Sequence, residues 1–277
     1  METTPITIKE ALNHAYTVTP EQASFFSQYG FIKIKNIFDS SVIDDMNIVI
    51  SNEVNRLNNQ KIPLEERDTY DKAFLQIMNL WTHATVVKDI VFSKRIAQIA
   101  SDLMQTNGDR LYHDQALFKE PKCGHTPWHA DQYYWPLVTE NIVTAWIPLQ
   151  ATPLNYGPLE FSVGSNRLKE GRDKQISDES QAFLESELKH HNFEHVIEPF
   201  DVGEISFHRG CLYHRAGPNV SGNMRKVMTM IYMDKDTVLK NSENHNQHSY
   251  WEAWCPGATV GATIDTPLNP VLYEKTD

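Results

Sequence analysis

The chain has 277 residues, 40% of them hydrophobic and 22% charged, with a formal net charge of −11. That length suits one large β-rich domain, and no linker-like stretch divides it, so residues 1–277 are expected to form a single domain. The acidic balance argues against nucleic acid or an anionic membrane surface as partner, since both need basic patches. It leaves room for a small-molecule substrate, even an anionic one. No apolar run approaches the roughly 20 residues of a membrane helix. The three cysteines, Cys123, Cys211 and Cys255, form no C-x-x-C pair, so neither a disulfide framework nor a cysteine zinc site is supported. With no basic-then-apolar leader, a cytoplasmic protein is expected.

In chain order, residues 1–18 are polar and expected to be loosely held. Thr19, Pro20 and Gln22 mark a helix start, with an N-cap and a proline at the first helical position; that helix should end near Gly30. Phe31–Ile37 alternates as a strand does. A second helix begins at Asp39 or Ser40, with Ile43, Met46, Ile50, Val54 and Leu57 on one face. Residues 58–72 are charged and read as loop. Helices follow over Thr82–Val91 and Lys94–Gln105, the latter capped by Ser93. These apolar faces read as core packing rather than function.

From Arg110 the pattern changes to short strands: Leu111–Lys119, His129–Tyr134, Val143–Gln150, Leu159–Val163, Val196–Glu198, Glu204–His208 and Arg225–Met233. The expected class is α+β with a mainly β core. Residues 110–277 would form a double-stranded β-helix (a jelly roll, cupin-like), braced by the helices of 19–105. Residues 167–195 read as an insertion carrying a surface helix, Asp178–His191, that either covers a site or is solvated filler.

The chemistry-bearing stretch is His125-Thr-Pro-Trp-His129-Ala130-Asp131-Gln-Tyr133-Tyr134-Trp-Pro136. On a strand, residues two apart share a face, so His129 and Asp131 could reach one metal ion. Two histidines and one carboxylate with open positions suit non-heme Fe(II). In a chain with 12 histidines an H-x-D alone says little. Far downstream, His214 stands just before a turn marked by Gly217, Pro218 and Asn219, and Arg225 opens the last apolar strand. His208, shortly before His214, is the rival third ligand. His125 reads as a surface turn residue.

H-x-D, His214 and the spacing His214-x10-Arg225 together resemble the phytanoyl-CoA dioxygenase family of Fe(II)/2-oxoglutarate oxygenases. Thr144-Ala-Trp146-Ile-Pro148-Leu149, Gly157-Pro-Leu-Glu-Phe161 and Thr266-Pro-Leu-Asn-Pro270 extend the resemblance from about Phe31 to the C-terminus. It implies the jelly roll, Fe(II) held by His129, Asp131 and His214, and the cosubstrates 2-oxoglutarate and O2. It also implies that Arg225 binds the distal carboxylate of 2-oxoglutarate, a task its bidentate, always-charged fork suits, and that Trp146 lies against the cosubstrate. Related halogenases carry a small residue at the place of Asp131, so a carboxylate there implies hydroxylation. Two departures stand out: the family's Gln between the proximal ligands is Ala130, and its Pro-Gly-Ser-His turn is Val163-Gly-Ser-Asn166. Substrate contacts are expected from Tyr133, Tyr134, Trp135, Lys119, Arg167 and the aromatic stretch Tyr250–Trp254.

Size and loop pattern are similar to a bacterial branch of the family that hydroxylates aminophosphonates beside the phosphorus. Other readings stay open: a hydroxylase of an acyl-CoA or another natural product, a cupin-like metal protein without 2-oxoglutarate, or a non-catalytic binding protein.

Overall fold

The computed structural model of the chain describes residues 8–67 and 72–276. Residues 68–71 of the expected 58–72 loop, and 1–7 of the expected loose N-terminus, lie outside the described residues. The rest of that N-terminus is a correction: α1 (Ile8–Asn13) buries Ala11 and Leu12, and the Leu12 carbonyl accepts a hydrogen bond from Ser93 Oγ. Its two apolar residues are enough to dock one helical turn on the helix layer.

Thr19 and Gln22 form a reciprocal capping box at the start of α2 (Pro20–Tyr29), and Gly30 closes it at φ 83°. The strand β1 (Phe31–Ile34) is shorter than its alternation suggested. Helix α3 (Ser40–Leu57) buries Ile43, Met46, Ile50 and Val54 as expected. Next come β2 (Leu75–Met78), α4 (Thr85–Val91) and α5 (Lys94–Met104), the last capped by Ser93 Oγ.

The β region contains β3 (Gly108–Lys119), β4 (Thr126–His129), β5 (Ile142–Pro148), β6 (Leu159–Ser162) and β7 (His195–Ile197). It continues with β8 (Ile205–Arg209), β9 (His214–Ala216), β10 (Arg225–Asp234) and β11 (Val271–Glu274). Helix α6 (Asp178–His190) lies in the insertion, and α7 (His245–Trp254) precedes β11. One sheet runs β1-β8-β5-β10-β3-β11, with β2 also on β3; the second runs β4-β9-β6-β7. All these pairings are antiparallel. These are the two sheets of the expected jelly roll.

Strand alternation decides what each sheet face does. Met228, Met230 and Tyr232 of β10, with Ala145 and Ile147 of β5, pack against Met46, Ile50, Ile96 and Ile99 of the helices. The intervening residues, Arg225 and Thr229 of β10 with Thr144 and Trp146 of β5, turn inward and line a cavity. The helices thus brace one face of the large sheet and leave the other face to the site.

Candidate active site

The strand expected over His129–Tyr134 is corrected in the structure. β4 ends at His129, Ala130 is extended at φ −118°, ψ 126°, and Asp131–Tyr134 forms a 3-10 turn. The Tyr133 N–H donates to the Ala130 carbonyl and the Gln132 N–H to Gly210, which bends the chain out of the ladder. One extended residue between them suffices to place His129 and Asp131 on the same side.

β4 pairs with β9 so that His129 stands opposite His214. Asp131 Oδ1 lies 3.5 Å from His129 Nε2 and 3.8 Å from His214 Nε2. The three ligand atoms fall within 4.8 Å of one another. Each histidine turns its Nδ1 to a backbone carbonyl, His129 to Pro127 at 2.7 Å and His214 to Leu212 at 3.0 Å. Those bonds fix the rings with both Nε2 atoms facing the carboxylate, the arrangement of a prepared metal site. Burial and the neighbouring His129 hold the His214 imidazole well below its ordinary pKa, hence neutral, as a ligand must be. Two imidazole nitrogens and one carboxylate oxygen fit iron(II).

His208 faces the other carboxylate oxygen, with Nε2 3.8 Å from Asp131 Oδ2, and Thr144 Oγ1 donates to the same oxygen at 3.4 Å. Neither ring nitrogen of His208 makes a hydrogen bond among the described residues.

Arg225 is 2% exposed, sits with its guanidinium 5.4 Å from the centre of the Trp146 ring, and donates from Nη1 to the Gly157 carbonyl. Burial lowers its pKa to about 10, which leaves it charged. Lys119, expected at the substrate, is instead fully buried on β3 beside Arg225, and donates to Ala73 O at 3.0 Å and Thr126 Oγ1 at 3.4 Å. The buried Asn219 ties this end together, donating from Nδ2 to the carbonyls of Lys119 and Asn223.

At the other end the cavity is bordered by Tyr134, Ile176, Tyr250 and Trp254. Tyr133, expected at the substrate, does not line it: the ring is buried and its hydroxyl accepts from Asn246 Nδ2. Arg167 is exposed, lies outside it, and donates to the Gln28 carbonyl. The long insertion does reach the site. Gln181 of α6 accepts from the Trp128 N–H beside His129, and the Ile176 N–H donates to Tyr134 Oη.

Sequence reasoning missed His113 and Gln115, which line the cavity from β3. Burial pulls His113 down to about 4, and its ring stacks on Trp254 at 3.9 Å. The polar residues at 113, 115 and 119, all an even number of positions apart along a strand, were the available signal.

The profile of the family described as phytanoyl-CoA dioxygenase (PhyH) matches residues 26–227, the part of the chain that carries all three triad residues and Arg225. The chain belongs to the phytanoyl-CoA dioxygenase family. It is accordingly an Fe(II)/2-oxoglutarate-dependent dioxygenase. One similar protein is a probable alpha-ketoglutarate-dependent hypophosphite dioxygenase from Stutzerimonas stutzeri, 20% identical over 229 residues, 78% of this chain and 79% of that one. Among solved structures, the non-heme alpha-ketoglutarate-dependent carbocyclase SnoK from nogalamycin biosynthesis superposes with a TM-score of 0.75. It is 20% identical and covers 97% of this chain and 99% of its own. The structure of EctD from S. alaskensis in its apo form gives 0.67 at 17% identity, covering 83% of each chain. At such identities these two likenesses bear on the fold of this family member. No helix among its described residues is long and apolar enough to cross a membrane.

Proposed function

We propose that this dioxygenase hydroxylates a small-molecule substrate, with iron held by His129, Asp131 and His214 and 2-oxoglutarate held by Arg225. The observation that carries the reading is a single cavity lined by the triad, by an unneutralised buried arginine, and by an aromatic outer wall. Iron and 2-oxoglutarate, when bound, couple dioxygen reduction to decarboxylation of the cosubstrate to succinate and CO2. The chain's part is to position and to exclude water. Arg225 orients the cosubstrate from the closed end, and Trp146 keeps that end dry. Tyr134, Ile176, Tyr250 and Trp254 hold the substrate on the open side of the triad. The whole chain acts as one catalytic domain in this reading.

For the substrate, an aminoalkylphosphonate hydroxylated at the carbon next to phosphorus remains our finer proposal. It draws support from the relative named for hypophosphite oxidation. The aromatic wall suits an ammonium group. An acyl-CoA finds less support: Arg215, which borders the cavity, is already engaged by Glu160 at 2.7 Å, so it offers no ready partner for CoA phosphates.

Anaerobic titration of the Fe(II)-loaded protein with 2-oxoglutarate tests the core of this reading. A visible charge-transfer band that weakens in Arg225→Ala and vanishes in His214→Ala is expected. No band in the wild type would favour a cupin-like metal protein without 2-oxoglutarate. Succinate release across aminoalkylphosphonates, acyl-CoAs and neutral aryl compounds then ranks the substrate classes.

A further inference from the structure

We propose that His113 is a specificity-determining residue that recognises the phosphonate group of the substrate from an aromatic stack in the cavity wall. The inference rests on the aminoalkylphosphonate reading of the substrate.

The placement of His113 depends on an irregularity in β3. Ile231 of β10 pairs with His113 and Tyr232 with Leu111, so Tyr112 is an extra residue on the β3 side. On a regular strand Tyr112 and His113 would point to opposite faces. Here both rings reach Trp254 of α7, Tyr112 edge-on at 5.5 Å and His113 stacked at 3.9 Å. Bulges of this kind re-aim side chains beside active sites. Tyr250 extends the stack, lying 4.1 Å from Trp254 with the two planes only 9° apart. The stack fixes the plane of the imidazole, and His113 lines the cavity where Tyr112 does not.

The imidazole has a polar edge and nothing to bond it to. His113 is 2% exposed, and its Nδ1 makes no hydrogen bond of ordinary geometry among the described residues. Burial keeps the ring neutral at pH 7, so it carries one N–H donor and one lone pair. A buried polar group left without a partner is costly, and a bound substrate oxygen removes that cost.

The sheet register points to the group it takes. His113, Ile231 and Thr144 form one cross-strand row, and Thr144 Oγ1 donates to Asp131. Strand spacing puts the His113 Cα about 10 Å from that of Thr144, level with the triad. The row that pairs Arg225 with Lys119 lies about 20 Å away along β3, so His113 belongs to the substrate half of the cavity. Hydroxylation beside phosphorus puts that carbon at the triad, with the phosphonate one bond from it. The phosphonate, rich in acceptor oxygens, then falls to the imidazole N–H. The ammonium at the other end falls to the rings of Tyr134 and Tyr250.

The test compares 2-aminoethylphosphonate with ethylphosphonate, which keeps the phosphonate and lacks the amino group. Both are titrated anaerobically into Fe(II)- and 2-oxoglutarate-loaded wild type, His113→Phe and His113→Gln, followed by calorimetry. Phe keeps a ring on Trp254 and removes both nitrogens; Gln restores an N–H donor. The charge-transfer band and thermal unfolding control for cosubstrate binding and for the fold. His113→Phe should weaken both phosphonates about 10- to 100-fold, as loss of a charge-assisted hydrogen bond does, with the band unchanged. His113→Gln should keep most of the affinity. In succinate release with 2-aminoethylphosphonate, KM should rise in His113→Phe by more than kcat falls. Weakening of 2-aminoethylphosphonate alone would move His113 to the ammonium and overturn the inference. Unchanged affinity for both ligands overturns it too, while the aminoalkylphosphonate reading stands. If His113→Phe does not fold, His113→Leu set against His113→Gln makes the same comparison. A wild type that binds neither phosphonate overturns the substrate reading and this inference with it.

Discussion

His208 Nε2 lies 3.8 Å from Asp131 Oδ2, whereas His129 and His214 face Oδ1 of the same carboxylate. The carboxylate is therefore flanked on both oxygens, by two histidines on one and by His208 with Thr144 on the other. In the function we propose, His208 holds Asp131 and His214 takes the third ligand position. His208→Phe is expected to weaken Fe(II) binding about 10- to 100-fold, the usual cost of losing a residue that orients a ligand, and His214→Ala to abolish it. An anaerobic competition titration against a chromophoric chelator reads both. Equal, complete loss of iron in the His208 variant would make it a ligand.

Gly157 connects the backbone to the site. At φ 67° it lies in the left-handed region, and a Cβ there would overlap the carbonyl oxygen of Gly217 in the turn that follows His214. Its own carbonyl accepts from Arg225. Gly157→Ala should therefore cost about 2 kcal/mol or more, from strain and from the parting of the two turns. It should also weaken 2-oxoglutarate binding, although residue 157 touches no ligand atom in our assignment. Thermal unfolding and the cosubstrate titration check the two halves separately. An unchanged melting temperature would mean that the turns are not held by this approach.

The residues legible in the sequence were those whose chemistry depends on local spacing. Thr19 and Gln22 form a cap within one helical turn, and His129-Ala-Asp131 needs only one extended residue between its ends. β9 escaped because three residues, His214–Ala216, are too short to show a period. β3 gave up its strand but not its inward face. It lies between the helix layer and the cavity, so nearly every residue is buried and the alternation of polarity is muted. Tyr133 and Arg167 were misplaced for a related reason. The 3-10 turn after Ala130 rotates Tyr133 onto α7, and Arg167 follows Gly164 at φ 76° in a turn directed toward α2. Neither direction is encoded in residue type.

Asp114 gives a pH signature of the scaffold, away from the triad. Burial raises its carboxyl from 3.8 to about 7, even though Oδ1 accepts from the Leu80 N–H at 2.9 Å. A carboxyl whose folded pKa lies above its unfolded value binds its proton more tightly when folded. Its contribution to stability is thus full below about pH 4 and is lost as pH rises through 7. Asp114→Asn, which keeps the acceptor and cannot ionise, should flatten that slope and stabilise the protein at pH 8 by a few kcal/mol at most. Denaturant unfolding of both proteins between pH 4 and 8 measures it. A wild-type slope that persists in Asp114→Asn would place the responsible group elsewhere.

The insertion meets the site through two hydrogen bonds, from the Trp128 N–H to Gln181 of α6 and from the Ile176 N–H to Tyr134 Oη, the latter at 3.0 Å. Tyr134 stands on the turn that begins with Asp131, and its ring lies 5.4 Å from Tyr250 of α7. The Tyr134 hydroxyl thus joins the Asp131–Tyr134 turn to residues 168–177, which form the approach to α6. Tyr134→Phe keeps the ring contact and removes only the acceptor, a loss of about 1 kcal/mol. The amide of Ile176 should then exchange with solvent several-fold faster, and 2-oxoglutarate affinity should stay unchanged, because Arg225 sits at the opposite end of the cavity. Hydrogen-exchange mass spectrometry on peptides spanning 168–177 reads the first effect, and the charge-transfer titration the second. If exchange is unaltered, the cover is held by α6 packing through Leu184 and Leu188 instead. If cosubstrate affinity falls together with protection, the two ends of the cavity are mechanically coupled through the Asp131–Tyr134 turn.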